Sequence, residues 1–340
     1  MAFSSTESQP AASSGAAVRA DYVAFLHRYP FALDAFRLGF ATGVREDYRL
    51  RQHMHDAIDV PVIVLDNDFR DPDLERLRDR VREYEPEIVV IGDAYDAGDA
   101  ETLLEAADDL QSEFAVEPIV VPKSRSALEA IAVDADVIVG YPNAGSYGDV
   151  HAREFSSAGD WVGRDVHILG GSPPRQWDVI RELTGAVDPA EHGLDAFLER
   201  DRREDVANIR GLDWNGLHKV AYKGQHWHHS KPHWRDADEL TIRETIDKGL
   251  RNIRHYWRER GVWPRETPQE HYTAVLAPRT ADDAVCTGCG RDLLDPEDVD
   301  QLVQYADGWT RSYCSQRCRD HAEYHCDFEA IVDQSGEYLW

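Results

Sequence analysis

The sequence predicts an α/β fold: a TIM-like (β/α)8 barrel followed by a small C-terminal zinc-binding module. Three observations predict it. Short runs rich in Val and Ile recur along the first two thirds of the chain, amphipathic segments separate them, and the cysteines gather near the C-terminus as paired hooks. Apolar runs that are continuous rather than alternating suit strands buried on both faces. Strand, helix, strand at this rhythm makes βαβ units and a parallel sheet.

Residues 1–20, MAFSSTESQPAASSGAAVRA, are rich in Ser, Ala and Gly and read as a disordered tail. They lack the basic and apolar regions of a secretory signal. The barrel-like domain is expected over 21–270. Its strand candidates are FRLGFA (36–41), VPVIVLD (60–66), EIVVIGD (87–93), EPIVVP (117–122), DVIVGYP (136–142), VHILGG (166–171) and VANIRGLD (206–213). A barrel needs one strand more. It is sought in YVAFLHRYP (22–30) or in the stretch after Asp149. A doubly wound open sheet is the alternative, weakened by the absence of a glycine-rich fingerprint after the first strand. Between the strands, DPDLERLRDRVREY and DAETLLEAADDLQSEF read as helices. A basic helix is expected over 241–260, begun near Thr241 and ended by Gly261 and Pro264. Its Arg251, Arg254 and Arg258 share one face, to pair with acidic surface or to touch phosphate.

Acids outnumber bases 64 to 37, the net charge is -27, and only five of the bases are lysines. The balance resembles that of proteins from extreme halophiles. Such charge speaks to solubility rather than fold. In molar salt the Debye length is about 3 Å, so a local basic patch can still dock on phosphate. No run of about 18 uncharged apolar residues is present, which excludes a transmembrane helix. A cytoplasmic protein is expected.

Against that acidic background, Trp214–Arg235 (WNGLHKVAYKGQHWHHSKPHWR) contains no Asp or Glu. It holds Lys219, Lys223 and Lys231, five histidines (His218, His226, His228, His229, His233), and Trp214, Trp227 and Trp234. A strand-end carboxylate, Asp213, followed by a cationic and aromatic loop suits handling of a base on a phosphate backbone. The bland alternative is a basic surface loop. The HxHH spacing does not match a catalytic zinc pattern such as HExxH, so phosphate or base contact is the preferred role for these imidazoles.

Residues 280–340 carry the cysteines. Cys286 and Cys289 form one hook, CTGCG, and Cys314 and Cys318 a second, YCSQRC. This spacing points to one structural Zn2+ held by four thiolates. The first hook resembles a zinc knuckle and the whole the treble-clef class. Clustering of this kind also argues for a reducing compartment.

Read in order, the strand ends resemble the motif series of the tRNA-guanine transglycosylase family. VIVLDNDF stands where that family has its TDSGG-type motif, VVIGDAYD where it has FDE, and IVGYPNAG where it has a GLAVGE-type turn. Ile168–Pro173 (ILGGSP) matches LMGVGxP, and Leu212-Asp213-Trp214-Asn215 matches the FDCxxPTR strand. DNA-modifying 7-deazaguanine transglycosylases of phage and mobile elements, and an uncharacterised haloarchaeal and viral family, are similar. The resemblance covers about 33–235 and implies a (β/α)8 barrel that exchanges guanine for a 7-deazaguanine in DNA or tRNA. It implies Asp213 as nucleophile at the sugar C1′ and Asp66 as acid–base, with Asp68 as runner-up. Asp93 would bind the base's Watson–Crick edge. Gly170 and Gly171 would let backbone approach it, and the Gly140–Gly145 turn would contact it from another side. Lys219, Lys223 and Lys231 would take flanking phosphates, and Trp214 and Trp227 would act as aromatic wedges. The family's CxCxxC zinc pattern after the barrel is absent, the glycine pair after the first Asp is missing, and an acidic insert (188–205) lengthens the gap before Asp213. A non-enzymatic nucleic-acid-binding protein with a barrel scaffold and a zinc finger is the alternative.

Overall fold

A computed structural model describes residues 18–26, 31–47, 58–143, 150–187, 206–221, 223–237, 240, 242–272 and short strands as far as 313. Eight strands close into a barrel in chain order. They are β1 (Tyr22–Leu26), β2 (Ala41–Arg45), β3 (Val64–Asp66), β4 (Ile88–Ala94), β5 (Glu117–Pro122), β6 (Ile138–Pro142), β7 (Asp165–Leu169) and β8 (Asn208–Asp213). All neighbours are parallel, and β8 returns to β1 with Asp213 opposite Ala24.

The eighth strand is therefore YVAFL. The expected strand at 36–41 is displaced. Phe36 and Arg37 end helix α1 (Phe31–Arg37), Gly39 turns the chain at φ +87°, and the strand begins at Ala41. A run of apolar residues here belongs to two elements, because α1 buries its own apolar face on the barrel.

Further helices are α2 (Leu74–Tyr84), α3 (Ala97–Glu113), α4 (Arg125–Ala130), α5 (Pro173–Thr184), a short α6 (Leu217–Ala221) and α7 (Ile242–Glu259). Asp73, Asp96 and Ser124 cap α2, α3 and α4 by accepting from backbone N–H groups of the first turn. Gly185, at φ +66°, ends α5. Between α1 and α7, Arg243 donates two hydrogen bonds to Asp34, at 2.6 and 2.9 Å, with both side chains buried. Two arginines of the α7 stripe are engaged locally: Arg251 pairs with Asp247, and Arg254 lies over the Trp263 ring.

Two apolar layers follow from strand alternation. Tyr22, Ala24, Leu26, Ala41, Val64, Ile88, Val90, Ile119, Val121 and Ile138 fill the barrel. Val23, Phe25, Val44, Leu65, Val89, Val120, Val139, Ile168 and Leu212 face the helices. Two register shifts interrupt the alternation, between Val90 and Gly92 on β4 and at Arg210 on β8. At the N-terminal end of the barrel, Arg210 ties Asp21, Glu117 and Asp165 together.

Beyond the barrel, Val275–Leu276 pairs with Ile58–Asp59. The C-terminal segment contributes two antiparallel pairs, Ala284–Val285 with Asp292–Leu293 and Gln301–Gln304 with Thr310–Tyr313. Cys286 is buried directly after the first of these strands. Cys289, Cys314 and Cys318 lie outside the described residues, as do most of the tail and the insert at 188–205. Among the described residues no group of three or more His, Cys, Asp or Glu stands as a metal site.

Candidate active site at the barrel mouth

Parallel closure brings every strand's C-terminal end to one face. Asp66, on the same side of β3 as inward Val64, points into that mouth, and so does Asp213, one residue past outward Leu212. Asp93 reaches it through the β4 bulge. Ile91 packs outward and Gly92 faces Leu103 of α3, which returns Asp93 to the interior. Its carboxylate lies 3.3 Å from Lys123 Nζ, just beyond β5, with the lysine buried and the aspartate mostly so.

Asp66 feels the other two carboxylates. Burial first, then the charges of Asp213, Asp93 and Glu46, push the Asp66 carboxyl up to about 8, with Arg45 opposing. Arg45 sits opposite Asp66 across the β2–β3 register and pairs with Asp47 at 2.5 Å. Asp66 is thus held well above the usual carboxylate range although its side chain is only half-buried.

Asp213 is held by two donors. Its Oδ1 lies 3.2 Å from His167 Nε2 and accepts from Gly170 N–H at 3.1 Å. Inward-facing His167 of β7 in turn has Nδ1 2.8 Å from the Tyr22 hydroxyl. Burial holds that phenol well above its ordinary value, with Glu117 adding to the effect, so it remains a donor. A phenol donating to Nδ1 leaves Nε2–H to face Asp213, which sets the tautomer. Gly211 makes room for the pair, since a Cβ there would stand 2.2 Å from the Tyr22 ring and 2.6 Å from His167 Nδ1.

One wall is the turn after β7. Gly170 and Gly171 adopt φ +67° and +77°. Gln176 of α5 donates to Gly170 O at 3.0 Å and to Asp213 O at 2.6 Å. His151 Nε2 lies 3.1 Å from Asn143 Oδ1, and Asn143 Nδ2 donates to Gly170 O at 3.4 Å. Asn215 accepts from Leu26 N–H and closes the β8–β1 side.

The other anticipated residues divide. Asp68 is buried, with its N–H on Glu46 and its Oδ1 accepting from Arg70 N–H, so it builds the turn after β3. Gly140 lies within β6, against Val121 and Leu169, rather than in a turn at the mouth. Strand pairing with β7 continues through Pro142, which moves the rim to Asn143. Gly145 lies outside the described residues. Trp227 is fully buried, stacked on His233 and edge-on to Tyr256, so it packs the loop instead of wedging a base. Trp214 is half-buried beside Asp213. Lys223 and Lys231 are exposed; Lys219 lies on α6, and its side chain is outside the described residues.

Sequence reasoning missed Tyr22, Glu46, Lys123, Asn143, His151 and His167. Lys123 had a signal: it is one of five lysines and follows a strand, as the predicted aspartates do. His167 sits mid-strand and had none.

These elements define a parallel α/β barrel whose mouth combines a carboxyl with a raised pKa, a doubly hydrogen-bonded carboxylate and a carboxylate paired with a buried lysine. The chain belongs to a family of unknown function (DUF6610), whose profile matches residues 35–258, from α1 to the last turn of α7. No curated protein matches the sequence.

Proposed function

We propose that the chain is a transglycosylase that exchanges guanine for a 7-deazaguanine base in DNA or tRNA. The observation that carries this reading is the pair of strand-end carboxyls at one mouth: Asp66, which burial and neighbouring charges push up to about 8, and Asp213, whose Oδ1 is fixed by two donors. Two carboxyl groups whose environments separate their roles supply an acid and a nucleophile from one residue type.

Asp213 attacks the sugar C1′ through Oδ2 as the glycosidic C–N bond breaks. That bond's electron pair leaves with guanine, which takes the proton of Asp66. A glycosyl ester on Asp213 remains. The Asp66 carboxylate then removes the ring N–H proton of the incoming base, whose nitrogen attacks C1′ and releases Asp213. Both residues end as they began. Asp93 and Lys123 offer an acceptor beside a donor to the edge of the bound base. On the turn after β7, Gly170 holds Asp213 through its N–H and Gly171 makes room for the Asn143 amide.

A structural zinc in the C-terminal segment belongs to the same proposal. Buried Cys286 follows one strand of a pair, Cys289 falls between the two strands in sequence, and Cys314 follows the strand ending at Tyr313. Strand pairs leading into both hooks fit a thiolate site, and the ion would hold the segment's fold.

The test is mass spectrometry of nucleosides from DNA and tRNA of cells with and without the gene. A 7-deazaguanosine present in one of the two pools only with the gene is expected. Identical nucleosides in both pools with and without it would overturn the reading and favour a binding role.

A further inference from the structure

We propose that Trp214 and the hairpin after α6 form a docking shelf for the nucleotide beside the target, so that the substrate is an unpaired stretch of polynucleotide rather than a free nucleoside. This rests on the base-exchange reading and names the form of its substrate. The hairpin consists of β9 (Gln225–Trp227) and β10 (Trp234–Asp236), paired antiparallel.

Trp234 is 39% exposed, one of five exposed large apolar side chains among the described residues. Its ring centroid lies 6.0 Å from that of Trp214, the residue next to Asp213. Behind both, buried Trp227 meets Trp214 edge-on at 6.1 Å and stacks on His233 at 5.5 Å. The shelf therefore has a rigid base. Gly216 brings its backbone against the Trp214 indole, where a Cβ would stand 2.4 Å from Nε1.

Cations border the shelf. Lys231 is exposed in the hairpin's connection, and Arg235 adjoins Trp234 and donates to Ser230. His228 stacks on His229 at 4.2 Å, and His229 bonds Asn252 of α7. Burial first, then the nearby charges of Lys248 of α7 and of Arg235, disfavours protonation of His226 and His228. The whole stretch from Trp214 to Arg235 lacks acids in a chain of net charge -27. The exposed Trp234 indole, packed on the Trp214 that follows Asp213 in the chain, and exposed Lys231 in the same hairpin complement a base and its phosphates. A duplex hides base faces from such a shelf, and a free nucleoside has no use for the cationic border.

Fluorescence anisotropy with labelled single-stranded DNA and RNA of about 15 nucleotides, on the full chain at about 0.2 M and about 2 M KCl, tests this. Trp234→Ala should weaken binding about five-fold or more at both salt concentrations, since stacking is not screened. Lys231→Ala and Arg235→Ala should weaken it at the lower salt and reduce the salt slope by roughly 0.7 each. Asp213→Asn should bind as wild type. Equal binding by Trp234→Ala and wild type, or duplex binding as tight as single-strand binding, would overturn the shelf. Binding through Trp234 without any base exchange would leave the shelf standing and sink the transglycosylase. Exchange on free nucleosides as fast as on strands would do the reverse.

Discussion

At the residue scale the account turns on Asp66. A carboxyl titrating near 8 in the folded chain and near 3.9 in the unfolded chain binds its proton preferentially in the folded state between those values. The stability it contributes is complete below about pH 4 and is lost as pH rises through about 8. Asp66→Asn cannot titrate. Its melting temperature at pH 9 should exceed that of wild type by at least about 3 °C, with little difference at pH 4. Parallel pH profiles for the two proteins, read by circular dichroism, would contradict the environment described for Asp66. For exchange itself, wild-type rate should fall as pH rises past about 8, where the acid loses its proton. Asp66, Asp93 and Asp213 were legible as strand-end carboxylates. Which of them keeps a proton was not, because that depends on burial and on charges contributed by other strands.

At the element scale, strand alternation explains both what could be read and what could not. Val-rich runs marked most of the barrel strands. Counting by twos along β4 from inward Val90 would turn Asp93 outward, and the bulge at Ile91–Gly92 reverses this. No residue in IVVIGDA announces a bulge except Gly92, whose meaning depends on Leu103 opposite it. The Tyr22–His167 pair was hidden for the same reason: its partners lie 145 positions apart and meet only when β8 closes on β1. Gly211 is the position that permits them. Gly211→Ala should lower stability by about 1–3 kcal/mol in urea unfolding and should also slow exchange, as the ring that orients Asp213 is pushed aside. A variant as stable and as active as wild type would show that the close packing around Gly211 is relieved at no cost.

At the scale of the whole molecule, the barrel was legible because its signal repeats, while the mouth was legible only where chemistry ends a strand. The basic stretch was marked by its missing acids, yet its packing was not. Trp227 and Trp234 are equivalent letters in the sequence, and only the hairpin decides that one is core and the other surface. The C-terminal segment stands outside the family match and is expected to be held by metal. Protein purified without chelator should contain one zinc per chain, and Cys286→Ser should lose it. A metal assay finding no zinc in wild type would remove that module from the account. The central claim is that Asp213 is the nucleophile of a base exchange. It is tested most directly by incorporation of labelled guanine into DNA and tRNA by wild type and by Asp213→Asn. The account predicts incorporation into one of the two nucleic acids by wild type and none by the variant, with binding of the strand unchanged. Incorporation by Asp213→Asn at the wild-type rate would contradict it.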